Sequence, residues 1–197
     1  MHICTFANLH IMLKSIQQEL KAKGTAENKD FFSKMVPGKQ KIYGVKMPEL
    51  NALAKQYKEH GFELAEALWQ SGALEEKIIA VKMLETTGKK DPERLLKLVQ
   101  RFAEGIDNWA VCDAVGMQMV RSIVKTHRDE IFQLAKKYNA SPNPWKRRLS
   151  LVLVEWYTRD PSAHADINKL VKPLEKDKEY YVKKAVEWIK RNLEKGK

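Results

Sequence analysis

Residues 106–120 read IDNWAVCDAVGMQMV and residues 141–154 read SPNPWKRRLSLVLV. Each opens on a polar turn, sets a tryptophan (Trp109, Trp145) at the head of an apolar run, and continues with apolar residues three and four apart, the period of a helix with one buried face. Two more stretches align with them: LEEKIIAVKML from Leu74 and DKEYYVKKAVEWIK from Asp177. With Glu76, Trp109, Trp145 and Tyr180 as equivalent positions, the steps are 33, 36 and 35 residues. That period holds one antiparallel helix pair, which cannot bury its apolar face alone and must stack on its neighbours.

The spacing therefore predicts an all-α chain: a right-handed solenoid of HEAT-like helix pairs. The tetratricopeptide signature W-x2-L-G-x2-Y is absent. The aligned helices are the candidates for the inner row, lining a concave groove.

Outward from the repeats, the helical pattern runs almost end to end. Leu9, Leu13, Ile16 and Leu20 mark a first helix closed by Gly24. A short second one carries Phe31, Phe32 and Met35 and stops before Pro37. The segment PGKQKIYG at 37–44 has the strongest loop character, and a third helix starts near Met47-Pro48 and ends at Gly61. Helices follow over 63–70, 74–86, from Asp91-Pro92 to Phe102, and from Trp109 to about Lys125 with Asp107 as cap. The remainder are 127–138, 144–157, from Asp160-Pro161 to Leu174, and 179 to about 194 behind Asp177 as cap. Residues 1–11 are expected to be an extra or disordered extension, and 12–197 a single repeat domain.

Composition removes several classes. At 44% hydrophobic and 31% charged, the 197 residues can build a core and do not read as a disordered chain. Two cysteines, Cys4 and Cys112, support neither a disulfide framework nor a four-thiolate zinc site, and fit a reduced, cytoplasmic chain. The five histidines show no metal-ligand spacing, and neither GxGxxG nor GxxxxGK[ST] occurs, so neither metal nor cofactor is expected. No apolar run nears the roughly 20 residues of a membrane span, and the start MHICTFANLHIMLK lacks the basic and long apolar regions of a signal peptide. Thirty-six Lys and Arg against 25 Asp and Glu leave a net charge of +11, which points to a polyanionic partner.

The candidate chemistry sits where the repeats coincide. Trp109 and Asp113, four residues apart, share one helix face; so do Trp145 and Arg148, and Lys184 and Trp188. On facing helices, indoles, a carboxylate and a guanidinium would converge, with Arg121, Lys125, Lys146, Arg147, Lys183 and Lys184 as a basic surround able to track phosphates. The plain alternative is that each tryptophan packs between repeats, the role assigned to Trp69 and Trp156, and that each charge is merely solvated.

Four segments in order, IYGVKMPEL, IDNWAVCDAV, NPWKRRLSLV and EYYVKKAVEWIKR, resemble the AlkD-like DNA alkylation repair family over roughly residues 30–193. Members are HEAT-like glycosylases that remove 3- and 7-alkylated purines from DNA. The resemblance implies Asp113 as the catalytic carboxylate, Trp109 and Trp188 against the lesion and its sugar, and Arg148 on the DNA backbone, with Arg147, Lys146, Lys183, Lys184 and Arg121 beside it. It implies double-stranded DNA containing 3-methyladenine or 7-methylguanine as substrate, no cofactor, and a monomer. Two positions depart from the pattern. Glu187 stands where the family often has glycine in KAIGW, and the short helix before the loop offers Lys34 or Met35 where the family has a tyrosine, with Tyr43 in the loop instead.

The chemistry is coherent: an alkylated purine is already cationic and leaves without a strong general acid, so a carboxylate that stabilises the developing sugar cation and positions water supplies what remains. Electron-rich indole faces suit the same charge. The rival expectations are a non-catalytic DNA-binding relative and a protein–protein scaffold.

Overall fold

Side-chain caps at Thr25, Asp91, Asn108 and Asn143 fix where four of the helices begin. The computed structural model describes residues 6–196, which are helical with no strand among them. They divide into two units, one up to Lys90 and one from Asp91.

In the first unit α1 (Phe6–Lys23) stops at Gly24, so the expected boundary at Met12 falls inside this helix; residues 1–5 lie outside the described residues. Thr25 begins α2 (Ala26–Met35), its hydroxyl accepting from the Asn28 amide at 3.2 Å. This helix buries none of its residues and leaves Phe31 and Met35 exposed. Next come α3 (Met47–Tyr57), with Pro48 in its first turn, then α4 (Gly61–Gln70) and α5 (Leu74–Thr87). The last packs on α3 and α4 and is buried on nearly all sides.

The loop between α2 and α3 is not a surface loop: Ile42, Tyr43, Gly44 and Val45 are all buried. Its backbone donors are met by Glu75, whose carboxylate accepts from the amides of Tyr43 (3.0 Å), Gly44 (2.7 Å) and Val45 (3.2 Å). Only glycine fits at 44, where φ is +84° and a Cβ would meet the Thr25 carbonyl oxygen at 2.5 Å. The Tyr43 hydroxyl donates to Glu76 at 2.6 Å, and burial with that carboxylate pushes its pKa far up.

The second unit contains α6 (Pro92–Ala103), α7 (Trp109–Asp113), α8 (Arg128–Asn139), α9 (Pro144–Val152), α10 (His164–Leu174) and α11 (Tyr180–Lys195). Helix α9 packs against α7, α8, α10 and α11. Three expectations are corrected here. The helix expected from Trp109 to Lys125 is regular only to Asp113; residues 114–119 form a π-helix, and 120–126 are turns. Its cap is Asn108, whose side chain accepts from the Val111 amide at 2.9 Å, not Asp107. The helix expected over 144–157 ends at Val152 and gives way to a 3-10 turn over Glu155–Arg159.

At the head of α11, Asp177 accepts from the Glu179 amide at 2.9 Å, but its carboxylate also grips Arg147, at 2.6 Å from Nε. Burial works to raise the Asp177 pKa, and the bonds from Arg147 and the Glu179 amide outweigh it, leaving the carboxyl below its usual value.

Gly116 lies close against α9. A Cβ at 116 would lie 2.6 Å from Val152 Cγ1, so the absence of a side chain lets the π segment lie against that helix.

Candidate active site

Three elements of the second unit, the starts of α7, α9 and α11, supply the site. Two of them have an asparagine cap: Asn108 for α7, and Asn143, accepting from the Trp145 amide at 2.9 Å, for α9. These caps fix where Trp109 and Trp145 begin their helices. Both indoles are half-buried.

Asp113 and Arg148 face each other across α7 and α9. The Arg148 Nε donates to Asp113 Oδ1 at 3.0 Å, and Nη2 donates to Oδ1 at 2.8 Å and to Oδ2 at 2.9 Å. The opposite edge of the guanidinium donates to the Tyr181 carbonyl at 2.7 Å, so one arginine ties all three elements. The Arg148 side chain is 7% exposed and the Asp113 side chain 26%: the cation is buried, and one face of the carboxylate is reachable. Burial raises the Asp113 pKa above the usual aspartate value, and the charge and hydrogen bonds of Arg148 hold it back. Beside it the Cys112 thiol is buried, donates to the Trp145 carbonyl at 3.8 Å, and has its pKa pushed well up, chiefly by burial.

Trp145 stacks at 5.2 Å on Tyr181, which meets Tyr180 edge-on at 5.0 Å. Tyr180 itself is 60% exposed. Trp188 is half-buried two turns further along α11.

The expected basic surround separates into engaged and exposed groups. Arg147 is held by Asp177 and by the carbonyls of Ser141 and Pro142, each at 2.9 Å. Lys146 meets the exposed Glu104 at 2.6 Å, and Lys184 meets Glu187 at 3.1 Å while lying over the Tyr180 ring. Glu187, the departure noted in the sequence, thus sits as an exposed partner of Lys184. The other departures are placed plainly: Lys34 pairs with Asp30 on exposed α2, and Tyr43 is buried in the first unit. Lys183 is exposed, and Arg121 lies over the Trp156 ring at 5.6 Å.

Sequence reasoning missed Tyr181, whose carbonyl and ring both serve the site, and Asp177 as the clasp of Arg147. Tyr181 stands one residue beyond the aligned Tyr180, so the repeat register pointed to its neighbour.

The family model for DNA alkylation repair enzymes matches residues 16–196. The chain belongs to the DNA alkylation repair enzyme family. No protein of curated function matches it significantly. A DNA alkylation repair enzyme acts on DNA, and the net charge of +11 agrees with such a substrate. Among the described residues no group of three or more His, Cys, Asp or Glu is placed to hold a metal ion, and no helix is long and apolar enough to cross a membrane.

Proposed function

We propose that this family member is a monofunctional DNA glycosylase that hydrolyses the N-glycosidic bond of cationic N3- and N7-alkylated purines in duplex DNA. The observation that carries the reading is the Asp113–Arg148 pair: a carboxylate clamped through both oxygens yet a quarter exposed. A structural ion pair gains nothing from a reachable face; a carboxylate that stabilises a sugar cation needs one.

In this reading α7, α9 and α11 form part of the inner row of the solenoid and carry its basic groove. The C1′–N bond breaks with its electron pair going to the purine, which leaves neutral. Water adds to C1′, and its proton passes to Asp113 or solvent. Preorganisation is the contribution of Arg148, whose two-point grip fixes the carboxylate before charge develops and favours its ionised form. Trp109 and Trp188 present indole faces to the cationic base or sugar. Lys183, Lys184, Lys146 and Arg121 meet phosphates; the ion pairs of Lys146 and Lys184 have exposed acidic partners and exchange at little cost. The donors of Arg147 and Arg148 are engaged within the protein, which suits them to shaping the site.

The test is release of 3-methyladenine or 7-methylguanine from methylated duplex DNA. Wild-type protein is expected to release base, with Asp113→Asn slower by about a hundredfold or more, the scale of losing one preorganised electrostatic group. Equal release by the two proteins would overturn the assignment. Binding without release by either would favour a non-catalytic DNA-binding role.

A further inference from the structure

At the far end of α7 and α9 the basic residues are built differently from those around Asp113. Arg121 and Arg159 each lie over the Trp156 ring, at 5.6 Å from its centroid. Arg128 lies over both Phe132 (5.6 Å) and Tyr157 (5.9 Å). A guanidinium held beside an aromatic face is attracted by the ring and spends none of its N–H donors on it.

Arg128 and Arg159 make long hydrogen bonds: Arg159 to Glu155 at 3.2 and 3.5 Å, and Arg128 to Asp160 at 3.5 Å and to Ser162 at 3.3 Å. Arg148, in contrast, spends its donors on bonds of 2.7–3.0 Å. Lys125 is exposed and lines the same groove of about 420 Å³ as Arg128, Trp156, Tyr157 and Arg159. Against these cations stand Glu155, almost wholly buried, and Asp160.

Trp156 is itself anchored. Its Nε1 donates at 2.9 Å to the Met117 carbonyl, inside the π-helix. The indole is therefore a fixed platform for two guanidinium groups.

We propose that this cluster is a second phosphate-contact site, in which Lys125, Arg128 and Arg159, set around Trp156, hold the DNA backbone away from the reacting nucleotide. Arg159 follows Arg148 by eleven residues. Helix α9 ends at Val152 between them, and Arg159 closes the 3-10 segment that follows, so the site lies past the C-terminal end of the helix whose Arg148 holds Asp113. It rests on the reading of the chain as a DNA-acting glycosylase, and adds where the duplex is held.

The experiment is a salt titration of binding to an undamaged, fluorescently labelled duplex, comparing wild type with Lys125→Ala and Lys125→Ala/Arg159→Gln. A control, Lys172→Ala/Lys176→Ala, removes equal charge from other exposed positions. The slope of log Kd against log salt is expected to fall by about one for the single variant and about two for the double, with affinity at 0.1 M salt weakened roughly sixtyfold for the double. The control is expected to follow wild type. The single variant removes an exposed lysine, so it keeps the test valid if losing the Glu155 partner unfolds the double.

An unchanged slope in the single variant, an equal loss in the control, or a wild-type protein without duplex affinity would each overturn the site. Base release is scored separately. Release by wild type with an unchanged slope sinks the site alone. A fallen slope without release sinks the glycosylase reading and leaves the site standing.

Discussion

Replacing Gly116 by alanine is expected to destabilise the second unit and to be partly relieved by shortening Val152. The new methyl would lie 2.6 Å from Val152 Cγ1, 2.8 Å from Val152 Cβ and 3.2 Å from Leu149 Cδ1. Carbon atoms rest at about 3.5–4.0 Å, so the two segments must part by nearly 1 Å or a packed side chain must leave its rotamer. Val152 and Leu149 are fully buried and have nowhere to go. Overpacking of this kind costs about 1–3 kcal/mol, while alanine gains up to about 1 kcal/mol over glycine in a helix, leaving a net loss of about 1–2 kcal/mol. Val152→Ala alone costs about 2 kcal/mol through lost burial and a cavity. The double variant should lose less than the sum of the two single variants, because the Cγ1 contact is gone while the 2.8 Å approach to the retained Cβ of residue 152 remains. Urea unfolding followed by far-UV circular dichroism measures all four corners of the cycle. A Gly116→Ala protein as stable as wild type, or energies that add within about 0.5 kcal/mol, would refute the argument from close approach. The same displacement moves Asp113 against Arg148, so base release should fall in Gly116→Ala and recover in part in the double.

Two further outcomes concern titrating groups. Arg148→Gln strands the Asp113 carboxylate and should cost about 3 kcal/mol, the low end for a broken buried pair because Asp113 is partly exposed. Burial already sets the Asp113 pKa above the ordinary value, so release, which needs the ionised form, falls as pH drops through that raised value; losing Arg148 removes the opposing influence and moves this acid limb to higher pH. A limb that stays put or moves down in a pH–rate profile of the variant would contradict the assignment. Tyr43→Phe removes the 2.6 Å bond to buried Glu76 and should cost about 1–3 kcal/mol in the first unit without altering base release at saturating DNA. Thermal unfolding and the release assay check the two halves.

Much of the helical layout was legible because its signals are local. Gly24, Pro48, Pro92 and Pro144 each act on the chain within a few residues, and the helices begin or end beside them. The 33–36-residue step also placed Trp109, Trp145 and Tyr180 at or beside the starts of their helices. What escaped reading is tertiary. Residues 114–119, AVGMQM, carry an ordinary helical pattern, and nothing in it announces a π-helix or the contact of Gly116 with Val152, 36 residues on. Asp113 and Arg148 each declared a shared face with its own tryptophan, but their bond to one another, and that of Arg148 to a Tyr181 carbonyl, crosses between helices. Glu75 stands in the first turn of α5, where an acid commonly does no more than favour the helix start. Its carboxylate instead reaches back some 30 residues to hold the amides of a buried loop, a pairing that leaves no trace in periodicity.

The π-helix after Asp113 makes the site sensitive to counting. A π turn holds one residue more than an α turn, and one residue is worth about 100° of rotation about the helix axis. Asp113, on the near side of that extra residue, and Arg121, on the far side, are thereby set in a phase that a regular helix of the same sequence would not have. Deleting a single residue between 114 and 119 would let the segment relax to a plain α-helix and swing one side against the other by about 100°. The carboxylate toward Arg148 and the Trp156 platform at the Met117 carbonyl could not then both be kept. The aim of the Asp113 carboxylate is thus carried by the number of residues in the turn, a property that substitution scanning leaves untouched and that only insertion or deletion exposes.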